Sequence, residues 1–144
     1  MSLRIRPAGP DDHVDIMRIF DGALLETDPD RIRSQLTDGS GCLLVAETDG
    51  RLVGAVGVVH AAETGDVPPA YRETAYLSAI AVRRSRRGQG VGHALIEAVA
   101  EQAAPRPLSA TFDERVRPFY TACGFEIDRR KGRLWGVRTA DTAD

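Results

Sequence analysis

The sequence contains few cysteines, a single lysine and no long apolar run. Two cysteines, Cys42 and Cys123, are too few for a disulfide scaffold or a zinc site, and neither lies in a Cys-x-x-Cys pair. No apolar run approaches the roughly 18 residues that a membrane-spanning helix needs. The first residues alternate charged with apolar side chains and show no signal-peptide core. We therefore expect reduced, buried thiols, no metal site, no membrane contact and a cytoplasmic location.

The chain also lacks a strong net charge. Its formal charge is -2, so there is no overall electrostatic attraction towards nucleic acid or an anionic membrane. Of the 19 basic residues only Lys131 is a lysine, which leaves 18 arginines. Four of these, Arg83, Arg84, Arg86 and Arg87, lie within five positions. The basic character is therefore local, and a nucleic-acid partner is not expected.

The 144 residues predict one domain, residues 1–144, with a frayed polar tail at 139–144. Strands are predicted at about 3–6, 42–47, 52–61, 74–82, 108–112, 125–129 and 133–138. Helices are predicted after Asp12, at about 28–38, over 90–104 and over 114–122. The order β-α-α-β-β-β-α-β-α-β-β indicates an α/β protein, in which a mixed sheet carries helices on both faces. The strands on either side of the 90–104 helix should be parallel.

Local signals refine several of these boundaries. Pro7 should stop the first strand, and Asp11 or Asp12 should cap the first helix. That helix should bury Val14, Met17, Phe20 and Leu24. Asp49-Gly50 predicts a hairpin turn with positive φ angles, and Gly124 predicts a left-handed helix cap.

The most informative segment follows the central strand. An apolar run ends at Val82, an arginine- and glycine-rich turn follows, and a helical pattern carries Leu95, Ile96 and Val99. Glycines let the backbone turn tightly and approach a ligand. The first N–H groups of a helix then point at a negative group, and the helix dipole favours it. The segment predicts a ligand that carries phosphate.

Three phosphate-binding patterns compete for this turn. A nucleotide P-loop needs Gly-Lys-Ser/Thr, but Gly92 is followed by His93 and Ala94. A dinucleotide fingerprint needs G-x-G-x-x-G at the first strand–helix turn, and here His93 occupies the last glycine position. The third pattern, Q/R-x-x-G-x-G/A, is met by Arg87, Gly90 and Gly92.

The third pattern resembles the pyrophosphate-binding signature of the GNAT family of N-acetyltransferases. Downstream, residues 119–125 read Phe-Tyr-Thr-Ala-Cys-Gly-Phe and are similar to the F-Y-x-x-x-G-F segment of that family. The resemblance extends over nearly the whole chain. It implies a central, mostly antiparallel sheet of about seven strands and acetyl-CoA as co-substrate. It also implies direct attack by a primary amine in a ternary complex, without a metal.

The resemblance also assigns residues to the cofactor. The backbone near Ile80, Ala81 and Val82 is expected to pair with the pantetheine arm and to supply an oxyanion donor. The pyrophosphate is expected at Arg87, Gly88, Gln89, Gly90, Val91, Gly92 and His93. Many relatives carry Asn where Asp113 stands, so Asp113 either contacts the cofactor or only caps the following helix.

The same resemblance makes Tyr120 the candidate general acid that protonates the departing thiolate. Phe119 and Phe125 are expected to be core aromatics. A lysine-like amine with a pKa near 10.4 must lose a proton before it attacks. The candidate bases are Glu73 and His60, and sequence alone supplies no geometry to choose between them.

The acceptor is expected between the first two helices, around Leu24 to Asp38, and the loop 62–72. Glu26, Asp28 and Asp30 could attract a cationic amine there. The sequence leaves open whether the acceptor is a small molecule or a peptide, and whether the protein is a monomer or a homodimer. Two other classes also stay open: a non-catalytic acyl-CoA-binding sensor or interaction module, and an arginine-patch nucleic-acid binder.

Overall fold

The computed structural model describes residues 3–22, 42–63, 67–130 and 132–139. Within these ranges the strands are β1 (Leu3–Pro7), β2 (Cys42–Thr48), β3 (Arg51–His60), β4 (Ala75–Val82), β5 (Leu108–Phe112), β6 (Glu126–Arg130) and β7 (Arg133–Arg138). The helices are α1 (His13–Gly22), α2 (Val91–Ala103) and α3 (Arg117–Ala122). None of these helices has the length and apolar character that a bilayer crossing requires, in the part of the chain that the structure describes.

The strands form one seven-stranded sheet in the order β1-β2-β3-β4-β5-β7-β6. The pairs β1–β2, β2–β3, β5–β7 and β6–β7 are antiparallel, whereas β4 and β5 are parallel. The predicted mixed, mostly antiparallel sheet is therefore confirmed. The predicted parallel pairing of β4 and β5, the strands on either side of α2, is also confirmed. Parallel neighbours need a crossover connection, which here contains α2.

Residue contacts divide the chain into two compact units. The first comprises Met1–Val58 with Ser78–Val99, and the second comprises Val59–Leu77 with Ala100–Asp144. The arginine- and glycine-rich turn and most of α2 belong to the first unit. Tyr120 and the final hairpin belong to the second. The predicted helix at 28–38 and most of the predicted tail lie outside the described residues.

Helices lie on both faces of the sheet within the first unit. Ala55 of β3 and Ala81 of β4 pack in a buried cluster with Ile16, Ile19 and Phe20 of α1. Gly54, which precedes Ala55 in β3, instead faces Val91 and Leu95 of α2. Consecutive strand residues point to opposite faces, so α1 and α2 cover opposite sides of the sheet.

The buried face of α1 differs from the predicted one. Ile16, Ile19 and Phe20 are buried, whereas Val14 is 60% exposed. Two helical patterns overlap in this segment, and the one with two isoleucines at i, i+3 and i+4 spacing is buried. Phe20 belongs to both patterns and is buried, Met17 is half-buried against the same cluster, and Leu24 lies outside the described residues.

The entry into α1 corrects one prediction and confirms another. The N-cap residue is Gly9 rather than Asp11 or Asp12. Asp12 lies three residues later, and its carboxylate accepts the Gly9 N–H at 2.8 Å and two N–H groups of Arg6. The Arg6 side chain, which hydrogen-bonds it, lowers the pKa of Asp12. Pro7 is the last residue of β1, paired with Leu44, so the strand ends at this proline as predicted. Since β1 is an edge strand, the missing N–H of proline can be accommodated there.

The turn signals are confirmed. Asp49 and Gly50 have φ angles of 53° and 78°, as a type I′ hairpin turn requires, and Gly124 has φ 88°. The predicted 114–122 helix begins as a 3₁₀ turn, Glu114–Val116, and becomes α-helical only at Arg117. Pro118 explains this change, because it has no N–H to donate to the carbonyl of Glu114, four residues earlier.

Candidate functional site

The turn between β4 and α2 has the backbone geometry of an anion-binding loop. Residues Arg84–Arg86 form one 3₁₀ turn, after which Gly88 and Gly90 adopt φ angles of 79° and 84°. This left-handed region favours glycine, since a side chain there is strained. A Cβ placed on either glycine would meet no atom within 4 Å. The glycines are therefore required by conformation, and the space beside them is open to a ligand.

The amino-terminal end of α2 follows directly. Ala94 donates its N–H to the carbonyl of Gly90 at 3.0 Å. The N–H groups of Val91 and Gly92 lie before this first helical hydrogen bond, so no carbonyl within the helix accepts them. The helix dipole places partial positive charge at the same end. Main-chain donors and dipole together suit a phosphate group.

Gly54 holds this end of α2 close to the sheet. A Cβ at Gly54 would lie 3.1 Å from the carbonyl oxygen of Ala81 and 3.1 Å from side-chain carbons of Val91 and Leu95. Two of these neighbours belong to the first turns of α2 and one to β4. Glycine in the middle of β3 is thus the signal in the sequence for a close approach of backbone and helix.

Side chains of the turn hydrogen-bond to the main-chain carbonyls around it. Arg87 donates its Nε–H to the carbonyl of Val82 at 3.1 Å, and Gln89 donates Nε2–H to Ser85 at 3.4 Å. Arg83 donates Nε–H to Leu52 at 2.6 Å. A guanidinium carries further N–H donors on its two Nη atoms, so the bond to Val82 leaves Arg87 donors for a ligand.

The predicted backbone contacts of the cofactor lie near the end of β4. The parallel β4–β5 ladder pairs Ala75 with Leu108 and Tyr76 with Ser109. Ile80, Ala81 and Val82 lie further along β4 than these pairs. All ten predicted cofactor residues lie between Ile80 and His93 and belong to the first unit.

Tyr120 lies in the second unit, in a cluster of aromatic rings. Its ring stacks on Phe112 at a centroid distance of 4.1 Å and meets Phe119 and Phe125 edge-on at 5.1 Å and 5.2 Å. Phe125 is buried as predicted, whereas Phe119 is half-buried. Burial raises the pKa of Tyr120, and the neighbouring Cys123 raises it further. The phenol is consequently protonated at neutral pH.

The candidate bases occupy different surroundings in the second unit. Glu73 is exposed and lies two residues before the start of β4. The Nδ1 of His60 accepts the N–H of Ala62, and its Nε2 faces the guanidinium of Arg106. Because both ring nitrogens of His60 already face donors, Glu73 is the more accessible of the two.

Asp113 caps the turn that leads into α3. Its Oδ1 accepts the N–H of Arg115 at 3.0 Å, and this hydrogen bond lowers the pKa of Asp113. The helix-cap prediction for Asp113 is confirmed. Its carboxylate is exposed.

Other predicted site residues cannot be placed. Glu26, Asp28, Asp30 and the rest of the predicted acceptor region at 24–38 lie outside the described residues, as do residues 64–66 of the loop 62–72. In the described ranges, no group of three or more His, Cys, Asp or Glu side chains could hold a metal ion.

The sequence analysis missed a cleft in the first unit. Its volume is about 580 Å³, and it is lined by Arg18, Ile19, Arg51, Val82, Arg83, Arg84 and Ser85. Arg83 and Arg84 were visible in the arginine run. Arg18 and Arg51 stand alone in the sequence, and only the packing of α1 against β3 and β4 brings them to the same place.

Comparisons with known proteins agree with this geometry. The family model described as the acetyltransferase (GNAT) family matches residues 13–125. The L-2,4-diaminobutyric acid acetyltransferase of Nocardia farcinica is 36% identical over 97 residues, which are 66% of this chain and 47% of that protein. The chain thus spans about half the length of the curated relative that it matches.

Solved structures share the fold. The N-acetyltransferase from Staphylococcus aureus Mu50 superposes with a TM-score of 0.75 at 17% identity, covering 98% of this chain and 100% of that one. The yncA protein of Salmonella typhimurium, solved with its cofactor acetyl-CoA, gives 0.75 at 16% identity, covering 100% and 97%. The family match extends from α1 through the turn, α2 and Tyr120. The chain therefore belongs to the acetyltransferase (GNAT) family.

Proposed function

We propose that this protein is an N-acetyltransferase that moves the acetyl group of acetyl-CoA to a primary amine. The acceptor is a small molecule or a peptide, and it attacks directly in a ternary complex. The observation that carries the proposal is the turn before α2, where two glycines with positive φ precede unused helix N–H groups. We further propose that the protein is a single-domain enzyme that works in the cytoplasm without a metal.

The turn is suited to the pyrophosphate of the donor. Val91 and Gly92 offer N–H groups, and Gly88 and Gly90 leave room for the phosphate oxygens to approach the backbone. The Nη groups of Arg87 add charge-assisted hydrogen bonds, which are shorter and stronger than neutral ones. Binding here relies mostly on the main chain, so it depends on backbone conformation more than on side-chain identity.

The end of β4 is assigned to the pantetheine arm and the thioester. The arm contains amide groups, which can hydrogen-bond to the main chain near Ile80, Ala81 and Val82. One N–H in this stretch would polarise the thioester carbonyl as negative charge develops on its oxygen. Removal of such a donor typically slows acyl transfer by about 100- to 1,000-fold.

The proton balance assigns roles to two further side chains. The attacking nitrogen forms a bond to the acetyl carbon, the carbon–sulfur bond breaks, the amine loses one proton and the sulfur gains one. Glu73 is the proposed base, and Tyr120 is the proposed acid. The phenol of Tyr120 is protonated at neutral pH, so it carries the proton that the departing sulfur would gain. The phenolate regains its proton from solvent once the thiol has left, because a phenol with a pKa near 10 is protonated at neutral pH.

The test is release of free thiol from acetyl-CoA across a panel of amines, with mass spectrometry of the products. L-2,4-diaminobutyrate heads the panel because the matched relative is named for it. Aminoglycosides, single amino acids and a peptide with a free amino terminus complete it. We expect amine-dependent release and a product heavier by one acetyl group. Tight acetyl-CoA binding without release for any amine would favour the non-catalytic sensor.

A further inference from the structure

The cleft lined by Arg18, Arg51, Arg83 and Arg84 has the features of a second binding site. Its volume of about 580 Å³ falls within the range of small-molecule pockets, about 300–1,000 Å³. Three separate elements contribute its arginines: α1, the start of β3 and the segment after β4. Ile19 and Val82 add an apolar wall. The cleft therefore combines a defined volume with charge from several directions.

No carboxylate among the described residues neutralises the four arginines of the cleft. Among the described residues, none of the four forms an ion pair, and no acidic side chain lines the cleft. Arginines elsewhere behave differently: Arg6, Arg115, Arg117, Arg129 and Arg130 each lie within 4.0 Å of a carboxylate. Positive charge that lies in a concave surface, without a carboxylate nearby, concentrates the electrostatic field and attracts anions.

One of these arginines is already fixed in position. The Nε–H of Arg83 donates to the carbonyl of Leu52 at 2.6 Å, and its backbone N–H donates to Val53 at 2.8 Å. Arg83 is half-buried, and its Nη groups are left as donors. A guanidinium group can bind two phosphate oxygens at once. A guanidinium held in a fixed orientation therefore favours phosphate over anions that do not match this geometry.

We propose that this cleft binds a phosphate group at a position distinct from Gly88 and Gly90 (the glycine turn), with Arg83, Arg84 and Ser85 of the same β4–α2 connection as one of its walls. Two sources would present the same chemistry. One is the 3′-phosphate of the bound acetyl-CoA, and the other is a free phosphorylated small molecule. The first source rests on the proposed acetyl-CoA binding, and the second does not.

The first experiment titrates inorganic tripolyphosphate into the protein by calorimetry. We compare the wild type with the double variant Arg18→Gln/Arg51→Gln, with Gly90→Ala and with the control Arg72→Gln, an exposed arginine of the second unit. Binding to the cleft should weaken by about tenfold or more in the double variant, because hydrogen bonds to charged groups are lost. Gly90→Ala and Arg72→Gln should leave that binding in place. Unchanged binding in the double variant, with an unchanged melting temperature, would overturn the proposal.

The second experiment separates the two sources. Dissociation constants are measured for acetyl-CoA and for its 3′-dephospho form on the wild type and the double variant. A preference for acetyl-CoA that disappears in the double variant identifies the 3′-phosphate as the occupant. An equal preference in both proteins, together with tripolyphosphate binding in the presence of saturating acetyl-CoA, identifies a free anion. The tripolyphosphate titration needs no turnover, so its failure and a failure of the acetyltransferase proposal can be told apart.

Discussion

The glycine turn and the aromatic cluster around Tyr120 use opposite strategies. The turn is exposed, and it acts through main-chain N–H groups whose positions depend on the φ angles of Gly88 and Gly90. Tyr120 is buried among three rings, and its proposed role depends on a single hydroxyl. A backbone site should tolerate most changes of side chain but not of conformation. At the buried site, loss of the hydroxyl should leave the packing of the rings intact but remove the proposed chemistry.

Removal of the Tyr120 hydroxyl should have the largest effect. Tyr120→Phe keeps the ring that stacks on Phe112, but it removes the proposed proton donor. General acid catalysis typically contributes about 100- to 10,000-fold, so we expect kcat to fall by about 100-fold or more. Steady-state kinetics with the best amine of the panel measure this.

Tyr71→Phe is the matched control for that prediction. Tyr71 is also buried in the second unit, and its hydroxyl accepts from Arg130 at 3.3 Å. We expect kcat to change by less than about threefold, since the Tyr71 hydroxyl has no proposed role in proton transfer and the exposed Arg130 can hydrogen-bond to water instead. Equal losses in the two variants would remove Tyr120 from the chemistry.

Gly54→Ala should lower the free energy of unfolding by about 2 kcal/mol, because overpacking in a core typically costs about 1–3 kcal/mol. The new Cβ would lie 3.1 Å from the main-chain oxygen of Ala81, which cannot rotate away. Urea unfolding measures the change. Gly9→Ala is the control, since its Cβ would meet only the Asp12 carboxylate at 3.8 Å. A loss below about 0.5 kcal/mol at Gly54 would show that α2 is not held closely there.

Gly90→Ala should weaken acetyl-CoA binding by about tenfold, since an L-residue in the left-handed region costs about 1–2 kcal/mol and the turn relaxes away from it. Gly132→Ala in the β6–β7 hairpin is a close match, because Gly132 has φ 80° and equally open space. Both variants should lose similar stability, and only Gly90→Ala should lose affinity. Calorimetry of acetyl-CoA binding distinguishes them, and equal affinities would contradict the role of the turn.

The smallest effect concerns pH. The pKa of Tyr120 is raised in the folded protein, whereas an unfolded tyrosine ionises near pH 10. Above about pH 10 the unfolded chain loses a proton that the folded chain keeps, so the free energy of unfolding should fall by up to about 1.4 kcal/mol per pH unit. Tyr120→Phe should remove this part of the slope. Unfolding curves at about pH 9 and pH 11 measure it, and parallel slopes for the two proteins would contradict the raised pKa.

The strands, the hairpin turn and the glycine turn could be predicted because their signals are local. Asp49-Gly50, Gly90 and Gly124 each supply residues that tolerate the positive φ angle that the local turn requires. The buried face of α1 could not be chosen, since the patterns starting at Val14 and at Ile16 both have helical spacing. Tertiary packing decided between them.

The side-chain contacts of the site were less accessible from sequence. The bond from Arg87 to the Val82 carbonyl depends on how the turn folds back on the strand. The cleft depends on Arg18 and Arg51, which only the packing of α1 on the sheet brings near Arg83. The spacing of residues in a sequence indicates helix or strand periodicity and turn types. It does not indicate which side chains from distant parts of the chain come into contact.

The most direct test of the account is acetyl-CoA binding measured by calorimetry on the wild type, Tyr120→Phe and Gly90→Ala. The account predicts that the wild type binds acetyl-CoA, that Tyr120→Phe binds it within about twofold of the wild type, and that Gly90→Ala binds it about tenfold more weakly. No binding to the folded wild type, or a loss of binding in Tyr120→Phe with none in Gly90→Ala, would contradict it.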